Sequence, residues 1–273
     1  MATVSVDGAD LFYREAGSGP PLLLIHGSGP DAYSWGEAFD DLARDHRVIA
    51  YDRRGFSRSS GEPSADWHRH GEDAAALLEG LDVAPAHVAG WSGGGLVALD
   101  LVLDHPALVR SLVLIETPLY GRKRPTLGLI RTFLEAQSLR RRKGDRAAAE
   151  AWLRFITGYR EGGSTWDRPD YPEERKEELL ANASAMLTEM QSRHAHLTRE
   201  RVSSIDCPVT VVLGGRSQSW FQKTARATAD LIDDAQLRMI EDSNHAFGWE
   251  QPHALATAIR EGAARAAAPG AAA

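Results

Sequence analysis

His87-Val88-Ala89-Gly90-Trp91-Ser92-Gly93-Gly94 joins a short apolar run to a helical pattern that continues to His105. The run reads as a buried strand, and the residues between strand and helix fit G-x-S-x-G. A serine at the centre of such a turn needs unusual backbone angles if its hydroxyl is to project from the sheet edge. Glycines at 90 and 94 let the helix approach the strand closely. Strand, sharp turn and helix in immediate succession make Ser92 a candidate nucleophile.

The alternation extends in both directions. Residues 22–25, 47–51, 111–115, 209–213 and 236–240 form short, mostly apolar runs, and helical patterns occupy 35–45, 66–81, 224–232 and 253–264. Near-continuous apolar runs suit strands covered on both faces. Two further strands, 3–6 and 10–15, flank Asp7-Gly8, a hairpin signal. The expectation is an α/β protein: a mostly parallel eight-stranded sheet with helices on both faces. The alternation stops once. Residues 117–201 show a helical pattern broken by Pro118, Pro125, Gly162-Gly163, Pro169 and Pro172. We read that stretch as a helical lid inserted in a core made of 1–116 and 202–264. The Ala-rich tail, 265–273, is expected to be disordered.

Two more loops follow strands. His26-Gly27-Ser28-Gly29-Pro30 follows 22–25, and its backbone N–H groups can be aimed at a developing oxyanion. The expected donors are the N–H groups of Ser28 and Gly93. Asp242-Ser243-Asn244-His245 follows the last strand, where a general base could reach Ser92. Of ten histidines, His46, His70, His105 and His253 read as surface residues beside helices, and His26 as structural. His194 and His196 fall in the expected lid.

Strand–HG-x-G-P, strand–Asp52-Arg53-Arg54-Gly55-Phe56-Ser57, strand–GWSGG and a late His245 together resemble the α/β-hydrolase superfamily. The resemblance spans the chain outside the lid and tail. It implies the α/β-hydrolase fold and a catalytic triad in the chain order Ser, acid, His. The usual acid, an Asp shortly after the strand at 209–213, is missing. That loop reads Gly214-Gly215-Arg216-Ser217-Gln218-Ser219-Trp220, and no Asp or Glu occurs from 213 to 226. A serine cannot carry the charge that stabilises an imidazolium. Glu116-Thr117-Pro118, after the strand at 111–115, is similar to the acid position of haloalkane dehalogenases. It is also similar to that of a zearalenone-lactonase-like group and related bacterial hydrolases. The resemblance therefore implies Ser92, His245 and Glu116, with Asp242 as the alternative acid. HGSGP also resembles the oxyanion loop of carbon–carbon bond hydrolases of ring-cleavage products.

The expected activity is hydrolysis of a small, mostly apolar ester or lactone through an acyl-enzyme. Carbon–carbon bond hydrolysis, with Arg131 or Arg154 holding a substrate carboxylate, is the alternative. A non-hydrolytic lyase or cyclase on the same fold is a further one. Trp91, Trp166 and Trp220 are expected pocket walls, with Phe56 a weaker candidate. Asp52 reads as a structural turn residue. No cofactor is expected and no cluster has the spacing of zinc ligands.

The 273 residues carry a net charge of −7, which disfavours binding to polyanions. The basic runs Arg122-Lys123-Arg124 and 140–143 lack the aromatic interleaving of a nucleic-acid surface. The single cysteine, Cys207, cannot form an internal disulfide and reads as a buried, inert thiol. No signal peptide or membrane span is apparent, so a cytoplasmic location is expected. The expected partner is a small-molecule substrate, with neither nucleic acid nor membrane, and a homodimer is admissible.

Overall fold

The computed structural model describes residues 2–119, 125–192 and 196–267. Arg122-Lys123-Arg124, His194 and the tail beyond 267 lie outside the described residues. Eight strands form one sheet: β1 (Ala2–Val6), β2 (Ala9–Ala16), β3 (Pro21–Ile25), β4 (Arg47–Tyr51), β5 (Ala86–Trp91), β6 (Val109–Ile115), β7 (Val209–Gly214) and β8 (Gln236–Ile240). Their order is β1-β2-β4-β3-β5-β6-β7-β8. β1 pairs antiparallel with β2, and β2 with β4, while every other pair is parallel.

Helices cover both faces. α2 (Trp67–Gly80), α3 (Gly93–Asp104) and α9 (Ser219–Ala229) bury apolar side chains such as Leu77, Leu99 and Ala225 against one face. α1 (Glu37–Leu42), the short α10 (Phe247–Glu250) and α11 (Pro252–Ala264) bury Phe39, Phe247, Leu255 and Ile259 against the other. β5 and β7 are buried at every position, as their unbroken apolar runs require. β8 ends the sheet and is largely exposed, since the last strand has a neighbour on one side only. α9 begins at Ser219, five residues ahead of the expected 224. Polar Gln218-Ser219 masks that start in the sequence, yet Trp220 and Phe221 are already buried.

Between β6 and β7 lie α4 (Leu127–Lys143), α5 (Asp145–Ile156), α6 (Glu173–Ala181), α7 (Ala183–Glu189) and α8 (Arg199–Ser203). Leu153, Trp166, Leu180 and Met186 form a third core that closes on Trp220 and Phe221 of α9. After α11 comes α11's own short extension: Arg265–Ala267 makes a 3₁₀ turn, and Arg265 donates to the carbonyls of Val209 and Asp234. Those contacts order the start of what the sequence suggests is a frayed tail. Among the described residues no helix is long and apolar enough to cross a membrane.

Candidate active site

β5 and β6 run side by side with Trp91 paired to Ile115, so the residues that follow, Ser92 and Glu116, emerge together at the carboxyl edge. The sheet continues one step past the strands. Ser92 N–H donates to the Ile115 carbonyl at 2.8 Å, and Glu116 N–H to Val212 at 3.0 Å. Both residues have positive φ, 54° for Ser92 and 43° for Glu116. Such backbone strain in non-glycine residues concentrates at functional positions. Gly94 makes the turn possible, because a Cβ there would lie 2.1 Å from the Ile25 carbonyl oxygen. α3 can therefore start almost in contact with β3.

Glu116 is fully buried, and its two oxygens have separate partners. Oε1 accepts the Gly214 N–H at 2.9 Å, and Oε2 lies 2.7 Å from Nδ1 of His245. The loop that lacks a carboxylate thus contributes a backbone donor instead. Ser217 in that loop is buried, and Asp242 is exposed. His245 stacks on Phe221 with ring centres 3.9 Å apart and meets Trp91 edge-on at 6.0 Å. Its neighbour Asn244 donates to the Thr157 carbonyl and to Thr165 Oγ1, which anchors the loop to the segment between β6 and β7.

Ser92 lines two cavities. The smaller, about 270 Å³, also contains Trp91, His245, Tyr171, Arg175 and Trp249. The larger, about 630 Å³, contains Gly93, Leu96, Leu129, Trp152 and Trp220. Ser28 lines both. Ser92 Oγ makes no hydrogen bond among the described residues. Among the described residues neither the Ser28 nor the Gly93 N–H donates to a protein acceptor. Side chains from α5 and α6 (Leu153, Ile156, Leu179) close the smaller cavity and residues of α4 the larger.

Trp91 lines the smaller cavity and Trp220 the larger, whereas Trp166 lines neither. Its indole is buried against Tyr171 beneath the Lys176 ammonium, in the core of the helical segment. Phe56 is likewise packed inside, edge-on to His26. Arg131 and Arg154 line neither cavity. Arg154 is held by Asp167 and Glu150, and the arginines that do reach the cavities are Arg175 and Arg140. Asp52 ties two loops, accepting the N–H groups of Ala32 and Arg58. Cys207 is half-buried, and burial raises its thiol to about 11.

The histidines depart further from expectation. His46 and His70 are buried, although both resemble surface residues in the sequence. His26 accepts the Arg53 N–H on Nε2 at 2.9 Å, which leaves the proton on Nδ1, 2.7 Å from the Gly27 carbonyl. Burial and the adjacent Arg53 hold it far below the usual histidine range, so it is neutral. Under this loop lies a buried pair that the sequence does not disclose. Arg53 forks onto Glu189 of α7, and Ser28 Oγ donates to Glu189 Oε2. Nothing in the sequence separates Glu189 from the many other charged residues of its segment. His68 and Glu72 on α2 also converge on Asp104 of α3, a potential ligand group invisible to linear spacing. Ion pairs to His105 and Arg201 already engage its carboxylates.

The alpha/beta hydrolase family model matches residues 22–258. The uncharacterized hydrolase YraK of Bacillus subtilis is 40% identical over 114 residues, which cover 41% of this chain and 42% of YraK. RutD of Azorhizobium caulinodans, whose name proposes carbamate hydrolysis, is 28% identical over 250 residues, covering 89% of this chain and 91% of RutD. Among solved structures, the esterase RhEst1 from Rhodococcus sp. ECU1013 is 26% identical with a TM-score of 0.76. That match covers 96% of this chain and 97% of RhEst1.

Proposed function

This chain belongs to the alpha/beta hydrolase family, and on that premise we propose that it is a serine hydrolase of small, mostly apolar carboxylic esters or lactones. The observation that carries the reading is the cavity shared by Ser92, on its strained turn, and His245, braced by Glu116. A hydrolase of this family needs an activated nucleophile beside a carbonyl-sized space, and that combination supplies one.

In the proposed reaction His245 takes the Ser92 proton on Nε2 as Oγ attacks the carbonyl carbon. Glu116 holds Nδ1–H and offsets the charge of the imidazolium. The N–H groups of Ser28 and Gly93 receive the oxyanion. Collapse of the tetrahedral intermediate expels the alcohol, which takes the proton from His245. Water then attacks the acyl carbon as His245 takes its proton, and collapse of this second intermediate releases the acid while His245 returns the proton to Ser92 Oγ. His245 must reach the leaving oxygen, so the leaving group belongs in the smaller cavity, which His245 lines. The acyl group belongs in the larger cavity beside Gly93, among Leu96, Leu129, Trp152 and Trp220. In this reading the helices between β6 and β7 act as a lid over both. The similarity to an esterase along nearly the whole chain supports ester chemistry.

A second reading, carbon–carbon bond hydrolysis, draws support from Arg175. It lines the smaller cavity and could hold a substrate carboxylate, although Glu178 already engages it at 2.6 Å. Turnover of p-nitrophenyl acyl esters and simple lactones, set against a vinylogous 1,5-diketone acid, tests the two. Ester or lactone cleavage is expected. Turnover of the diketone acid alone would move the assignment to the second reading, and turnover of none would remove both.

A further inference from the structure

We propose that Glu189 is a positioning residue for the reaction above, on which this inference rests: it holds the Ser28 backbone N–H in the direction of the oxyanion. In a trans peptide the carbonyl and the following N–H point in opposite directions within one plane. Whatever fixes the Gly27 carbonyl therefore fixes the Ser28 N–H. Two donors hold that carbonyl, Arg53 Nη2 at 3.0 Å and His26 Nδ1 at 2.7 Å. Arg53 Nε holds the preceding carbonyl, that of His26, at 3.1 Å.

Arg53 is fully buried and cannot stand there without an anion. Glu189, itself buried, supplies it through both carboxylate oxygens. The same carboxylate accepts the Ser28 hydroxyl, so Glu189 reaches the peptide group from both ends: Gly27 through Arg53, and Ser28 directly. An ion pair that served only as packing would have no reason to spend its spare hydrogen bonds on three consecutive residues of one loop. Here Arg53 and Glu189 together engage 26, 27 and 28. Glu189 also lines the larger cavity with Ser28 and Ser92, next to the space assigned to the acyl group. It is the last residue of α7, which belongs to the helical segment. Docking of that segment and orientation of the donor are therefore one event.

The experiment compares kcat, KM and Tm on one p-nitrophenyl ester for Ser28→Ala, Ser28→Thr, Glu189→Gln and the Ser28→Ala/Glu189→Gln double variant. Ser28→Ala keeps the backbone N–H and loses only the tie, and its kcat should fall roughly tenfold with KM changed less than about twofold. Ser28→Thr restores the hydroxyl and should recover most of the loss. The double variant should be no slower than the slower single variant, because Glu189→Gln already disrupts the tie that Ser28→Ala removes. A Ser28→Ala enzyme with undiminished kcat overturns the proposal, as do losses that multiply in the double variant. Should Glu189→Gln fail to fold, the two Ser28 variants decide the matter alone. Fluorophosphonate labelling of wild type separates the layers. Labelling at Ser92 together with an indifferent Ser28→Ala removes the positioning role only, whereas a wild type that neither labels nor turns over esters removes the proposed function with it.

Discussion

Glu116 Oε2 stands 2.7 Å from His245 Nδ1 while its other oxygen is occupied by the Gly214 N–H. The carboxylate is thus oriented by the strand beside its own before it meets the histidine. With both oxygens committed, replacement by an amide has a definite consequence. In Glu116→Gln the carbonyl oxygen keeps Gly214 and the NH₂ group faces Nδ1. Nδ1 must then accept, the ring proton moves to Nε2, and His245 can no longer take the proton of Ser92. We expect kcat to fall by about 10³–10⁴, as for the equivalent amide in other triads, with the fold intact. Asp242→Asn, at an exposed position, should stay near wild type. Kinetics on the two variants check this, and the opposite ranking would transfer the acid role to Asp242.

Ser92→Ala should abolish both ester turnover and covalent labelling by a fluorophosphonate, with Tm shifted by a few degrees at most. The hydroxyl has no hydrogen-bond partner among the described residues, so its removal costs the fold little. Labelling that persists in the variant would place the nucleophile elsewhere.

The assignment of the two cavities predicts a selective block. Leu129 lines the larger one, and Leu129→Trp fills space there without touching the His245 side. Measured across p-nitrophenyl acetate, hexanoate and octanoate, kcat/KM should drop more than about tenfold for the longest chain, since an overpacked apolar site costs on the order of 1–3 kcal/mol. Acetate should be spared. Equal losses on all three would show that the acyl group does not enter that cavity.

Asp100 sits on α3 behind the site, buried, with neither carboxylate oxygen hydrogen-bonded among the described residues. Burial, aided by Asp104, raises it to about 7, well above the usual carboxylate range. The folded state therefore holds this proton more tightly than the unfolded state. Stability from this group is intact below about pH 4 and declines as pH climbs through 4 to 7, where the unfolded chain has already ionised. The full penalty is on the order of 4 kcal/mol at one unit per 1.36 kcal/mol. Asp100→Asn removes the charge, so thermal melts at pH 8 should rise by on the order of 5 °C, with little change at pH 4. A Tm difference independent of pH would show that Asp100 does not titrate in this way.

The sheet, its helices and the turn around Ser92 were legible in the amino-acid sequence because each is encoded locally. Apolar runs of strand length, helical periodicity and glycines around one serine all act within a dozen residues. Glu116 became the candidate acid by a different route: the resemblance implies an acid, and residues 213–226 hold none. Its distance from His245 follows from strand order, which brings β6 between β5 and β7. Tertiary structure alone decided which side chains of the helical segment face the cavities and which face their own core. Trp152 and Trp166 have similar aromatic side chains, yet one lines a cavity and the other is packed among Tyr171 and its neighbours. The same holds for Glu189, which meets Arg53 across 136 positions of chain. A contact so distant leaves no local pattern, because a buried charge acquires its meaning only from the partner that folding brings to it.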